Sequence, residues 1–445
     1  MEVLLLNQHL DLTKEVLLCD GAMGTMIQKT GVLKPGNAPE LLNLTHPEII
    51  AGIHRSYIEA GSRYIGSNTF GGNRIKLEAH GLTTDKTREV NFAGVRIARE
   101  AAASTAGNSG VLVAASLGPT GKMMDPLGDL TFEAAYETFH EQCIVFAEAG
   151  ADIITVETMS DLRETKAAVL AALAVNLPVI ATVSFMENGR LLTGQTPEMV
   201  AATLSGFPLL ALGTNCGLSA ALLKSITEKL VAFSQKHVIV QPNAGKPSLM
   251  DNQTVYQESA EEFANACLEL VRNGVRIIGG CCGTSPEHIR LLRKLLDYED
   301  FSYQPPQAPD YLVGKSSVTN IATVGDHKAV WRVSFGPGEP LWEDIRKGNL
   351  EPFTDQLLEI DPDQYSRIEL DGLGLTEADL KFFQELVTIV TTYWPHPISA
   401  KLNSDLLIKA LLTGTSGRAL VIAPAKNSQL IKTIAQFGGI SQIAK

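Results

Sequence analysis

The chain has 445 residues, enough for two domains at roughly 100–200 residues each. Its formal charge of −12 provides no field that favours nucleic acid or an anionic membrane surface. With 45% hydrophobic and 19% charged residues, it has material for a core and is not a disordered chain. No apolar run reaches the roughly 18 residues of a membrane span. The opening MEVLLLNQHLDLTKE lacks the basic and apolar regions of a signal peptide. A cytoplasmic protein without nucleic-acid or membrane partners is expected. Its six cysteines then read as thiols or metal ligands rather than a disulfide framework.

From residue 16 to about 297 short apolar runs alternate with helix-period stretches. Strands are predicted at 16–20, 63–67, 111–116, 152–157, 179–185, 210–215, 238–242 and 275–279. Each run is nearly continuous in apolar residues, the pattern of a strand buried on both faces. Helices are predicted at 46–61, 131–150, 161–176, 219–236, 259–274 and 285–298. Their signals are Asp or Ser near the N-cap and Gly beyond the end. Eight βα units point to an α/β fold, a (β/α)8 TIM barrel over residues 1–300. An open doubly wound sheet is the alternative.

Residues 301–317 contain three prolines and read as a linker. Residues 318–445 read as a smaller α/β domain. It has strands at 319–323 and 329–334, joined by a turn at Gly325-Asp326, and a helix at 341–358. Then come strand 367–370, helix 376–393, strand 398–401, helix 405–413, strand 419–423 and helix 428–437. The domain is too short for a second complete barrel, which typically takes ~250 residues.

A barrel of this kind carries its chemistry at the C-terminal ends of its strands. Those ends read Asp20-Gly21-Ala22-Met23-Gly24-Thr25, Ser67-Asn68-Thr69-Phe70, Leu117-Gly118-Pro119, Glu157-Thr158, Ser184-Phe185, Asn215-Cys216-Gly217, Pro242-Asn243-Ala244-Gly245 and Gly279-Gly280-Cys281-Cys282-Gly283-Thr284. Cys216 on strand six can face Cys281 and Cys282 on strand eight across the mouth. Three converging thiolates suit zinc and leave a fourth position open, the mark of a reactive site. The competing reading is a redox pair or packed thiols. Cys19, Cys143 and Cys267 read as packing residues. Three thiolates outweigh the two charges of zinc, so the metal polarises a carbonyl poorly. It can still ionise an incoming thiol, and alkyl transfer to that thiol follows. Hydrolysis is disfavoured, since no rim histidine is in place to activate water.

With Pro242-Asn243-Ala244-Gly245-Lys246-Pro247 added, these motifs resemble the homocysteine S-methyltransferase family, nearest to the homocysteine-binding module of cobalamin-dependent methionine synthases. The resemblance runs from about residue 10 to 298, with six motifs in order. It implies a zinc-dependent enzyme that activates homocysteine as a zinc thiolate, methylates it and yields methionine. Cys216, Cys281 and Cys282 match the family's zinc ligands. Asn243 would lie beside the metal and fill the open position without substrate. Asp20 and Glu157 would hold the substrate ammonium group. Thr69 and the backbone amides around Gly24 and Thr25 would hold its carboxylate. Ser67, Asn68 and Asn215 would support these groups from behind.

In the methionine synthase subgroup the donor is methylcobalamin on another domain. The Asp-x-His-x-x-Gly cobalamin signature is missing here; Gly325-Asp326-His327 has the wrong spacing. The expected donor is a methylcorrinoid protein supplied in trans. The alternatives are a small donor such as S-methylmethionine, S-adenosylmethionine or betaine, or a non-catalytic zinc- or thiol-binding regulatory module. Residues 337–349, 368–372 and 397–404 resemble the opening units of the pterin-binding barrel of methionine synthases. Lys401 stands where a pterin site needs an acid, which argues against folate binding. The domain then reads as a reduced relative that covers the barrel mouth or docks a partner, or as a purely structural appendage.

Overall fold

The computed structural model describes residues 11–34, 36–105, 110–250, 253–299, 303, 307–323, 329–336, 338–339, 341–423 and 427–443. The chain divides into two compact units, Met1–Thr193 with Leu209–Pro306, and Gly194–Pro208 with Gln307–Lys445.

In the first unit eight parallel strands form one sheet. They are β1 (Leu17–Leu18), β2 (Tyr64–Gly66), β3 (Leu112–Leu117), β4 (Ile153–Met159), β5 (Val179–Val183), β6 (Ala211–Ser219), β7 (His237–Asn243) and β8 (Val275–Ile278). Consecutive strands from β2 to β8 are neighbours, and β8 pairs with β1. A parallel bridge between Cys19 and Tyr64 closes the ring. Arg63 N donates to Leu18 O and Asp20 N to Tyr64 O, both at 2.9 Å. The expected barrel is therefore the observed one, and the open doubly wound sheet is not. Its lower interior is filled by Leu17, Cys19, Tyr64, Ala114, Ile153, Ile180, Ala211, Ile239 and Ile277, with Leu12 packed against them. Every strand contributes, as a filled barrel requires.

Three of the expected caps form by side chain: Thr131 accepts from Ala134 N, Asp161 from Arg163 N and Glu164 N, and Ser259 makes a capping box with Glu262, whereas Ser219 makes no side-chain cap bond. Several helices go beyond the predicted set, among them the short Gly24–Thr30, Leu42–Thr45 and Arg74–Ala79 and two others. Thr84–Ser104 buries an inner face rich in alanine and glycine, including Gly94, Ala98, Ala101 and Ala102. Small side chains make a weak periodic signal. Pro197–Leu204 is short and apolar on most sides, so it shows no clear stripe. A hairpin, Ser248–Met250 with Gln253–Val255, also lay outside the expectation.

The second unit holds five parallel strands in chain order: β9 (Ala329–Ser334), β10 (Tyr365–Asp371), β11 (Ile398–Lys401), β12 (Leu420–Ala423) and β13 (Ile440–Ile443). Helices pack on one face over Ile368, Leu370, Ile398, Ala400 and Val421. The other face carries Leu420, Ile422 and Ile440 against Leu312. Leu312 belongs to a hairpin, Tyr311–Val313 with Val318–Asn320, so the stretch expected to be linker carries a strand. Helix Pro197–Leu204 meets that hairpin through Met199, Ala202 and Val313. The helix expected at 341–358 is two, Trp342–Arg346 and Glu351–Glu359. They are separated at Gly348, whose φ of +78° leaves the helical region. The turn expected at Gly325-Asp326 lies outside the described residues.

Candidate active site

The upper end of the barrel opens into a cavity of about 370 Å³. Its lining includes Asp20, Gly24, Thr25, Ser67, Asn68, Ser116, Glu157, Thr158, Cys216, Cys281 and Cys282. The cavity thus brings carboxylates and thiols from opposite ends of the sequence onto one surface. Thr69, Asn215 and Asn243 are buried and stand outside this lining.

Two bulges aim the key side chains. Between Val156 and Met159 the β4–β5 register slips, and Thr158 has φ +59°. Between Asn215 and Ser219 the β6–β7 register slips, and Cys216 has φ +61°. A left-handed conformation at a non-glycine residue costs on the order of 1–3 kcal/mol and persists where its surroundings hold it in place. Here the bulges break strand alternation, so Glu157 and Cys216 can both reach the cavity.

The three thiols converge. The sulfurs of Cys216, Cys281 and Cys282 lie within 4.8 Å of one another, with Cys216 Sγ and Cys282 Sγ 3.7 Å apart. Backbone bonds hold the Cys281-Cys282 loop: Cys281 N donates to Pro242 O at 2.8 Å, and Ala244 N to Cys282 O at 3.0 Å. Thr284 Oγ1 donates to Cys281 O at 2.6 Å and accepts from Ala22 N at 3.0 Å, tying strand eight to the first loop. The neighbouring Cys216 and Cys281 thiols hold the Cys282 thiol well below the usual thiol range. Asn243 Oδ1 is buried with no protein partner. Three sulfur donors and an orphaned buried oxygen beside them in the fold fit a thiophilic metal with a tetrahedral preference.

The same cavity is lined by two carboxylates, Asp20 and Glu157. Asp20 Oδ2 accepts from Gly66 N at 2.8 Å, and burial raises its carboxyl to about 8. Glu157 accepts from Ser116 Oγ and, through Oε2, from Asn215 Nδ2 at 3.1 Å. Burial raises Glu157 to about 6, with Ser116 opposing. Buried carboxylates without a cation are poised to accept one. Thr25 Oγ1 is also buried without a partner. The Thr69 hydroxyl is committed elsewhere: it donates to Ser116 O at 2.8 Å and pairs with Ser67 Oγ at 2.7 Å. Asn68 Nδ2 donates to Pro39 O and Asn43 Oδ1, so it fixes the loop. Cys19, Cys143 and Cys267 are fully buried and free.

A profile of the homocysteine S-methyltransferase family matches residues 17–296. The chain belongs to this family. Among solved structures it is similar to the homocysteine methyltransferase MmuM from Escherichia coli. The metallated form shares 23% identity and a TM-score of 0.56, covering 66% of this chain and 100% of that one. The oxidised form shares 24% identity and a TM-score of 0.54, covering 63% and 96%. At these identities the likeness concerns the fold.

For this homocysteine S-methyltransferase family member, three groups near the reacting centre escaped the sequence. Ser116 ends the predicted strand 111–116, and period-two alternation puts it on the same face as Ala114; both line the cavity. Thr158 follows Glu157 at the strand end and lines the cavity as well. Tyr256 lies in the excursion between β7 and β8, outside every motif, and no local signal marks it. Among the described residues no helix is long and apolar enough to cross a membrane.

Proposed function

We propose that the protein is a zinc-dependent methyltransferase that activates homocysteine as a thiolate and methylates it, giving methionine. The observation that carries this reading is one cavity lined by three convergent thiols and by two carboxylates, Asp20 buried and Glu157 half-buried. Cys216, Cys281 and Cys282 would hold zinc, with Asn243 Oδ1 the candidate fourth donor in the absence of substrate. Bound there, zinc supplies the charge that keeps the incoming thiol ionised at neutral pH. Asp20 and Glu157 offer the ammonium group two anions. Its positive charge in turn favours their ionised forms. Gly24 and Thr25, in the first turn of a helix, offer N–H groups and a free hydroxyl to the carboxylate. Thr69 supports this wall from behind, through Ser67 and Ser116. The thiol proton leaves to solvent when the substrate binds.

The methyl donor in this reading is a methylcorrinoid protein supplied in trans. Folate is not its source: Lys401 Nζ already sits 3.0 Å from Asp371 Oδ2 and 3.4 Å from Glu369 Oε1, so the acids of that strand end are neutralised. The second unit then serves as a reduced relative of a pterin-binding barrel. Six unpaired cysteines suit a reducing cytoplasm.

The test is methionine formation by the zinc-loaded protein with a panel of donors: a methylated corrinoid protein, S-methylmethionine, S-adenosylmethionine and betaine. Turnover with the corrinoid protein alone supports the full reading. Turnover with one small donor corrects the donor and keeps the reaction. No zinc in freshly purified protein, or no methyl transfer from any donor, sinks the enzyme reading in favour of a binding module.

A further inference from the structure

The loop after β2 is held from behind by buried carboxamides. Gln142, on helix Phe132–Ala149, donates from Nε2 to Thr69 O at 3.0 Å and to Asn91 Oδ1 at 2.9 Å. Asn91, on helix Thr84–Ser104, donates from Nδ2 to Gly72 O at 2.7 Å and to Thr87 O at 2.8 Å. A Cβ at Gly72 would lie 2.2 Å from Asn91 Oδ1, so glycine lets the amides close on the loop. The front of the same loop, at Ser67, Asn68 and Phe70, lines the barrel cavity.

At the back, Gly72, Thr87, Asn91 and Gln142 line a second cavity of about 220 Å³, against about 370 Å³ for the first. Thr87, Asn91 and Gln142 are each more than nine-tenths buried. Both Nε2 hydrogens of Gln142 are committed, which fixes the orientation of its amide and leaves Oε1 to be satisfied. That oxygen and Thr87 Oγ1 have no partner among the described residues. Buried polar atoms are as a rule hydrogen-bonded, to protein, water or ligand. The space exceeds several waters at about 30 Å³ each, and Ile144 and Val145 give it an apolar side. Its exposed lining is charged, with Arg74, Arg88 and Glu141. Arg74 is paired with both Glu141 and Glu78, whereas Arg88 has an exposed pair with Glu148. An exposed pair of that kind is weak enough to exchange for a ligand.

We propose that this cavity is a second ligand site, for an α-amino acid with an apolar side chain. The ammonium group donates to Gln142 Oε1 and Thr87 Oγ1, the carboxylate meets Arg88, and the side chain lies on Ile144 and Val145. A lining with both signs of charge beside an apolar side suits such a zwitterion. Because Gln142 bonds Thr69 O with its other end, an occupant stiffens the wall of the barrel cavity, and the two sites are linked. The link to homocysteine rests on the methyltransferase reading above; the binding itself does not.

L-Leucine is the probe, since it has no thiol to offer a metal. Equilibrium dialysis of labelled leucine compares zinc-loaded wild type with Thr87→Val, Arg88→Met and Asp20→Asn. Thr87→Val removes a hydroxyl that bonds to nothing in the protein, and Arg88→Met changes an exposed position, so a folding failure in one leaves the other to decide. A single saturable site per chain is expected, roughly tenfold weaker in Thr87→Val and Arg88→Met and unchanged in Asp20→Asn. 4-Methylpentanoic acid and 3-methylbutylamine, each lacking one charge, are expected to compete far less well. No saturable binding to wild type, or binding that survives both Thr87→Val and Arg88→Met, overturns the proposal. Binding that only Asp20→Asn abolishes does so too, by placing leucine in the barrel. With leucine saturating, the Kd for homocysteine is expected to fall several-fold; an unmoved Kd overturns the link between the sites. A protein that binds leucine as described but transfers no methyl from any donor loses the function proposed above and keeps this site.

Discussion

Asn215 Nδ2 donates to Glu157 Oε2 at 3.1 Å, so the residue preceding a cysteine of the thiol cluster also holds a carboxylate of the same cavity. The same amide donates to Thr158 Oγ1 at 2.7 Å, while Asn215 Oδ1 accepts from Thr158 N and Thr182 Oγ1, each at 2.8 Å. Asn215 thus locks two strand-end bulges together. Replacing it with Ala strips Glu157 of one donor and leaves Thr158 N unsatisfied. A hydrogen bond to a charged group is worth about 1.5–3 kcal/mol. The KM for homocysteine is therefore expected to rise roughly tenfold or more, with zinc retained. Steady-state kinetics with metal analysis checks this; an unmoved KM would dissociate Glu157 from the substrate.

Cys281→Ala removes one of three sulfur donors whose loop is fixed on both sides by backbone bonds. The variant is expected to lose stoichiometric zinc on purification, because a structured site with two thiolates no longer completes the donor set. Cys143→Ala, at a fully buried helix position, is expected to keep it. Elemental analysis of both proteins decides; full zinc in the Cys281 variant would overturn the ligand assignment.

His54 lies on helix Pro47–Glu59, fully buried, with no partner for either ring nitrogen. Burial lowers it from an ordinary 6.5 to about 4, with Arg55 adding. The folded value is below the unfolded one, so the unfolded chain takes up the proton first. Its stabilising contribution is complete above pH 6.5 and is lost as pH falls towards 4. The loss amounts to about 3 kcal/mol over that window. Urea unfolding at pH 7 and pH 4.5 is expected to show this acid sensitivity in wild type and a smaller one in His54→Leu. Equal losses in both would show that other groups govern the acid limb.

Gly213 sits in β6 where a Cβ would lie 1.8 Å from the Ile239 carbonyl oxygen of β7. The clash is with backbone of the neighbouring strand, so no rotamer relieves it. Gly213→Ala is expected to destabilise the barrel by about 3 kcal/mol or more. Thermal unfolding by circular dichroism should show a large drop in Tm or no folded protein. A Tm near wild type would mean that the ladder yields at this point.

The sequence by itself determined the barrel and the composition of its mouth. Strands buried on both faces must be continuously apolar, as at Val179–Val183, and rim residues must follow them. Cys216, Cys281, Cys282, Asp20 and Glu157 could therefore be assigned to one end of the fold before any geometry was known. Helix Thr84–Ser104 was not legible, because alanine and glycine leave little periodic contrast. What only the tertiary structure decided was direction. Strand alternation alone cannot say where Glu157 and Cys216 point, because both sit on bulges created by unequal pairing with their neighbours. Likewise Thr69 turns its hydroxyl into the wall, and Tyr256 lies over Gly283 only because the excursion after β7 folds back onto Ala244. Such placements depend on contacts between residues distant in the chain, where local pattern carries no information.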